Sequence, residues 1–463
     1  MSTPPSDGRL TVETLRALVE AGAIHTVLAV FPDWYGRLMG KRIPARFFLE
    51  NIVEDGFHAC DYLLACDMEM EAVPGYGFAN WERGYGDMHA VPDLSTLRIA
   101  AWAPGNALVL CDLHDSKDHS RIGVSPRGLL RNQLERARSL GFSAKGGSEY
   151  ELYLFSDSYA DARAKHHHDL RPIGDYNEDY HILQGSREEH VMGRLRGVLD
   201  ASGVPVESSK GEAGLGQQEL NLRFSEVLEQ ADRNVLYKHA AKEVASAAGQ
   251  SVTFMAKWDE RHTGSSAHLH LSLWNVADDS PAFAGDVPVG PVRGSDTFRW
   301  FLGGWMRHAR DLSVCWAPYP ASYKRYQSRS WAPTSIAWSY DNRTAGFRVV
   351  GSGKSLRIEC RLPGADANPY VAYAAALAAG LDGIENRIEP PDCFEGDIYA
   401  ARTLPQVPAT SYEAIAAFEQ SEFARRVLGE SLHAHYLHFV QTEQRCFDAA
   451  VTSWERARYF ERA

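Results

Sequence analysis

Residues 147–155 read GSEYELYLF, a segment whose aromatic and aliphatic residues ask for burial while Glu149 and Glu151 ask for water. A β-strand satisfies both demands, because alternate side chains point to opposite faces. Glu149, Glu151 and Tyr153 then share one face, and Tyr150, Leu152 and Leu154 share the other. Taken alone, the pair of acids is equally well explained by a solvated edge strand.

Three further stretches repeat the pattern. In QELNLRF, Glu219, Asn221 and Arg223 oppose Leu220, Leu222 and Phe224; in AHLHLSL, His268, His270 and Ser272 oppose Leu269, Leu271 and Leu273. In SLRIECRL, Arg357, Glu359 and Arg361 oppose Leu356, Ile358 and Cys360. A merely solvated face would carry Thr, Lys and Ser, whereas Glu, His and Arg recur here. A sheet face lined by Glu149, Glu151, Glu219, His268 and Glu359 concentrates negative charge, which bound cations would relieve. Carboxylates with one imidazole and no thiolate suit hard or borderline ions, so Mg²⁺ or Mn²⁺ is expected. Glu212, in the glycine-rich GEAGLGQQE, adds a further acid, and Arg343, Arg348, Arg357 and Arg361 add cations suited to steering a phosphoryl group.

Composition sets the frame around these strands. The chain has 463 residues, 44% hydrophobic and 23% charged, with a formal net charge of -12. This is globular composition with room for more than one domain. The absence of a Lys/Arg cluster argues against nucleic-acid binding. No stretch approaches the roughly 20 apolar residues of a membrane span, and the N-terminus lacks the pattern of a leader, so a soluble, unprocessed chain is expected. Seven cysteines without a CxxC pair suggest neither a disulfide framework nor a thiolate zinc site, which favours the cytoplasm.

Residues 1–115 read as a small α+β unit, with a short helix over 12–21 and strands in HTVLAVF and ALVLCDL; residues 116–463 form the second domain. Ser125, Pro126 and Gly141 bracket a helix just before the opening strand, and further helices are expected over 186–203, 228–248, 295–311, 369–388 and 411–427. Gly/Pro-rich loops are expected near 279–294 and 389–410. GSGKS at 351–355 is no phosphate loop, since the spacing requires glycine where Arg348 stands.

The succession GDMHAVPDLST, SEYELYLF, GQQELNLRF, TGSSAHLHLSL, SYKR, DNRT, SLRIECRLPG and ANPY resembles the glutamine synthetase superfamily across nearly the whole chain. The resemblance implies an α+β protein with a β-grasp-like N-terminal domain and a catalytic domain whose curved antiparallel sheet is flanked by helices. It further implies two stacked hexameric rings, in which each funnel is completed by the next subunit's N-terminal domain. The implied chemistry is ATP-dependent: glutamate becomes γ-glutamyl phosphate, and an amine displaces the phosphate.

Carried over by position, Glu151, Glu212 and Glu219 resemble the ligands of one metal, and Glu149, His268 and Glu359 those of a second, with two or three ions per subunit. Arg325 and Arg361 resemble the glutamate-holding arginines, with Gly264 and His270 beside them. Glu207, Ser272, Arg343, Arg348, Lys354 and Arg357 fall at nucleotide-contacting positions, and Arg343 and Arg361 at catalytic ones.

The departures matter more. Where ammonia-using members carry a flap glutamate, six residues after the SYKR arginine, this chain has Trp331. Their D-G-S-S stretch is replaced by FHACDYLLAC, in which Asp61 stands as a substitute for the ammonium-drawing acid. Tyr399 lies near the segment that some bacterial members adenylylate, but the following AARTLPQ is unlike that loop. An indole in place of a carboxylate offers a flat apolar wall that attracts cations. The sequence therefore resembles the members that γ-glutamylate organic amines of the ethanolamine or polyamine type. The alternatives are a glutamine synthetase using ammonia and a catalytically inactive relative.

Overall fold

A computed structural model describes residues 7–463. Strands β1 (Thr26–Pro32), β2 (Leu38–Pro44), β3 (Phe57–Cys60), β4 (Asp87–Pro92), β5 (Arg98–Ile99) and β6 (Asn106–Asp115) form a first sheet in the order β2-β1-β6-β4-β3, with β5 on β6. The central β1–β6 pair is parallel and its neighbours are antiparallel.

A second sheet holds β7 (Phe142–Phe155), β8 (Val206–Gly211), β9 (Gln217–Glu226), β10 (Ser251–Thr253) and β11 (Ala267–Asn275). After a separate hairpin of β12 (Val287–Val289) and β13 (Val292–Gly294), it is completed by β14 (Trp338–Tyr340), β15 (Phe347–Val350) and β16 (Arg357–Cys360). The order is β14-β15-β16-β11-β7-β9-β8, with β10 on β7. This sheet is antiparallel except at its β14 edge, where β14 and β15 run parallel.

The alternation read from the sequence decides which face is covered. Tyr150, Leu152, Leu154, Leu220 and Leu222 pack with Leu236, Ala240 and Val244 of the Val227–Ala247 helix. Leu269, Leu271, Ile358 and Cys360 pack with the Pro369–Asn386 helix, which is buried from Pro369 to Gly383. That helix crosses the Asp296–Arg307 helix at backbone contact, since a Cβ on Gly304 would lie 2.4 Å from the Gly383 Cα. Buried Arg127 ties the first sheet to the helix that covers the second, reaching Asp112 of β6 at 2.6 Å, Asp93 at 2.8 Å and Asp232 of the Val227–Ala247 helix at 2.9 Å.

Phe224 departs from the expected pattern. A bulge sets Arg223 and Phe224 of β9 opposite Gly147 alone, where the register shifts between Gly146 and Ser148. A bulge inverts the alternation beyond it, so Phe224 leaves the leucine face and is exposed. The helix expected over 411–427 is two, Ser411–Gln420 and Glu422–Leu428, because Ser421 is extended and its hydroxyl caps the second. The Glu430–Ala449 helix that follows was not foreseen, and the expected 186–203 helix begins only at Glu189. The loop expected near 279–294 contains the β12–β13 hairpin. Among the described residues, no helix is long and apolar enough to cross a membrane.

Candidate active site

The uncovered face of the second sheet floors a cavity of about 1060 Å³. Cross-strand pairing assembles its centre: Glu151 lies opposite Glu219, Glu149 opposite both Asn221 and His268, and His270 opposite Glu359. Residues paired across strands share a face, so the acids of β7, β9 and β16 converge with the two histidines of β11.

Two donor sets result. Carboxylate oxygens of Glu151, Glu212 and Glu219 lie within 4.8 Å of one another. In the second set, His268 Nδ1 is 3.0 Å from Glu149 and 3.8 Å from Glu359. His270, expected beside glutamate with Gly264, borders this set, its Nε2 3.1 Å from Glu149. The all-oxygen set and the set with one imidazole both fit Mg²⁺ or Mn²⁺.

The electrostatics say that the floor is incomplete without cations. Burial, then the neighbouring Glu149, Glu151 and Glu212, pushes the Glu219 carboxyl up to about 9. Burial and Glu212 raise Glu151 to about 7. The second set behaves differently because Arg361 and ring N–H donors already face it. Against the pull of burial, His270 and Arg361 hold Glu359 down at about 2, and hydrogen bonds from His268 and His270 hold Glu149 well below the carboxylate range. Burial, aided by Arg361, lowers His268 to about 4, leaving the neutral imidazole that a metal requires. Glu151 is held in place by Ser266 N at 2.8 Å and Gln217 Nε2 at 3.0 Å. Anchoring of this kind orients a ligand before an ion arrives.

The cationic residues divide by partner. Arg361 and Arg348 donate to opposite oxygens of Glu359 at 2.6 and 2.7 Å. Arg325, expected to hold glutamate, spends its guanidinium on the carbonyls of Leu362 and Arg361, both at 2.9 Å. Its stem lies against Gly264, where a Cβ would come within 2.6 Å of the Arg325 Cγ. Arg343 and Glu207 are exposed at the cavity rim. Arg357 donates to His270 Nδ1 at 3.3 Å, Ser272 accepts from Trp274 Nε1 at 3.1 Å, and Lys354 lies on the exposed 353–355 turn.

Trp331 lines the cavity and is 61% exposed. Its φ of 64° lies in the left-handed region, costly for a side chain of this size. The turn is secured by the Tyr399 hydroxyl, which donates to Ala332 O at 2.8 Å. Asp61 does not reach this cavity: it follows β3 of the first sheet and accepts from Gly86 N at 3.0 Å.

Two cavity features escaped the sequence reading. Lys210 of β8 pairs opposite Glu219 and contacts Glu212. The signal was present, since Lys210 stands two residues before Glu212 in SSKGE. Asp179 and Tyr180 come from a connecting loop with no periodic pattern to mark them.

The face-segregated sheet, the two donor sets and the arginines around Glu359 fit a ligase of the glutamine synthetase type. Residues 123–459 match the family described as glutamine synthetase, catalytic domain, and the chain belongs to that family. It is 45% identical over 460 residues to the gamma-glutamylethanolamide synthetase GlnA4 of Streptomyces coelicolor, covering 99% of this chain and 97% of that one. It is 35% identical to a glutamate–isopropylamine ligase of a Pseudomonas species, covering 96% and 97% of the two chains. A solved GmaS/ADP complex superposes with a TM-score of 0.82 at 28% identity, covering 96% of this chain and 99% of that one.

Proposed function

We propose that this protein joins the γ-carboxyl of glutamate to an organic primary amine, of the ethanolamine or polyamine type, through γ-glutamyl phosphate at the expense of ATP. The observation that carries the reading is Trp331: an indole lines the acceptor side of a cavity whose floor keeps both donor sets. In the first step a γ-carboxylate oxygen attacks the γ-phosphorus of ATP, and the bond to the β,γ-bridging oxygen breaks as ADP leaves. In the second, the amine nitrogen attacks the carbonyl carbon, the C–O bond to phosphate breaks, and a proton is released.

Glu151, Glu212 and Glu219 would hold one divalent ion and Glu149, His268 and Glu359 another. Such ions neutralise charge on phosphate and carboxylate oxygens. Arg361 is placed to meet the charge that develops on the transferring group, its fork anchored by Glu359. Arg348, Arg343, Glu207 and the surface near Ser272, Lys354 and Arg357 fall to the nucleotide, and Gly264 and Arg325 shape the glutamate pocket. Trp331 supplies a wall for the amine's carbon body and excludes water from the acyl phosphate.

Asp61 fits this scheme through a neighbouring copy of the chain, as expected of a homo-oligomer of two hexameric rings. The cavity within a single chain is open, and Asp61 lies outside it.

The test is phosphate release from ATP with glutamate and Mg²⁺, without an acceptor, with ammonia and with a panel of primary amines. Turnover dependent on an organic amine is expected. Turnover with ammonia alone would make the protein a glutamine synthetase, and none with any acceptor would make it an inactive relative.

A further inference from the structure

Lys210 stands where no phosphate-binding or metal-binding role is assigned, yet it is one of the most engaged cations in the cavity. It belongs to β8, at the sheet edge furthest from β16 and its Glu359–Arg361 cluster. Its ammonium lies 3.1 Å from Asp179, contacts Glu212, and sits 4.4 Å over the ring of Tyr180. Two carboxylates and an aromatic face make a cage for one primary ammonium group, and the chain's own lysine fills it.

We propose that Lys210 is a specificity-determining residue that restricts the acceptor to amines with an uncharged tail, excluding those with a second ammonium; this rests on the ligase reading above. A diamine needs an unneutralised acid near the acceptor end of the cavity to receive its distal charge. Of the rim acids, Asp179 is taken by Lys210 and Glu189 by Arg196. Glu207 lies three residues back along β8, at the end reserved for the nucleotide. A divalent ion among Glu151, Glu212 and Glu219 would weaken the hold of Glu212 on Lys210 while Asp179 and Tyr180 keep the ammonium in place. Lys210 lines the same cavity as Trp331, so a positive charge is set against the acceptor in either condition, and like charges set against each other discriminate between partners more than they alter overall affinity.

A matched pair of substrates reads this directly: 4-amino-1-butanol and 1,4-diaminobutane have the same length and differ only in a terminal hydroxyl or ammonium. The measured quantity is the ratio of their kcat/KM values, from which any general loss of activity cancels. The wild-type protein is expected to favour the amino alcohol by at least about tenfold. Lys210→Gln should erase most of that preference and Lys210→Arg should keep it. Asp179→Asn, on an exposed loop, should sharpen it, because Lys210 is then less neutralised. A wild-type protein that uses the diamine equally well overturns the proposal, as does an unchanged ratio in Lys210→Gln or a shift toward the diamine in Asp179→Asn. Turnover with neither of these amines nor any other primary amine overturns the ligase reading and this inference together, whereas a diamine preference overturns only the inference.

Discussion

Replacing Glu219 by glutamine should make the metal-free protein more stable at alkaline pH, although it deletes a group at the centre of the site. Glutamine keeps the shape and removes the need either to bind a proton or to bury a negative charge on folding. A carboxyl whose pKa is raised by folding binds its proton more tightly in the folded state. The folded state therefore loses stability as pH rises from the unfolded value of 4.5 toward the folded value of about 9. Each pH unit within that window costs about 1.4 kcal/mol. Glu219 alone accounts for about 3 kcal/mol between pH 6 and pH 8. Glu151, raised to about 7, adds at most about 1 kcal/mol up to its own folded value. Because the two acids repel each other, their joint effect falls below the sum, and about 2–3 kcal/mol is expected. For 463 residues this corresponds to a shift of about 2–3 °C in melting temperature. The assay is thermal unfolding in EDTA at pH 6, 7 and 8, repeated with Mg²⁺. Wild-type protein should lose stability across this range in EDTA and recover it with the ion. Glu219→Gln should start higher at pH 8, vary less with pH and gain less from Mg²⁺. Equal wild-type stability at pH 6 and pH 8 without metal, or a Glu219→Gln protein that melts lower at pH 8, would refute the account of a charge-crowded floor.

Arg361→Lys should lower kcat/KM for glutamate by about 100-fold or more, since lysine keeps the charge but not the planar fork, while circular dichroism stays that of wild type. Trp331→Ala should raise the KM for an organic amine by about tenfold and leave those for glutamate and ATP nearly unchanged, as set by the lost aromatic contact; equal losses for all three would reduce Trp331 to a support of its turn. Gly264→Ala should cost about 1–3 kcal/mol of stability and depress turnover, because its Cβ would meet the Arg325 stem at 2.6 Å and Ala256 O at 2.8 Å; a neutral result in denaturant titration would show that Arg325 has room to move.

The alternating strands made the central sheet legible in the sequence because period-two patterning is a direct imprint of one covered and one open face. Tyr150, Leu152, Leu220, Leu269 and Ile358 all lie where that imprint puts them. The pattern reached Phe224 with the wrong sign, since nothing in QELNLRF marks a bulge that depends on Gly147 in another strand. The contacts of Arg325 were equally invisible: residue type signals a guanidinium, but not that two backbone carbonyls consume it. Asp179 and Tyr180 lie in a connecting loop, where order comes from tertiary contacts and leaves no period. His270 sits beside Glu149 through strand register, which no single strand reveals.

The turn that carries Trp331 has an evolutionary consequence. A residue inserted into β7 or β9 would slip the register and reverse every side chain behind it, so the catalytic floor accepts change only as a whole. Position 331 is outside any strand, largely open to solvent, and its backbone conformation already disfavours most residues to a similar degree. One codon there can exchange an acid for an indole without disturbing a single strand pairing. New acceptors are thereby open to such a scaffold through mutations in its loops, while the phosphoryl chemistry beneath is inherited intact.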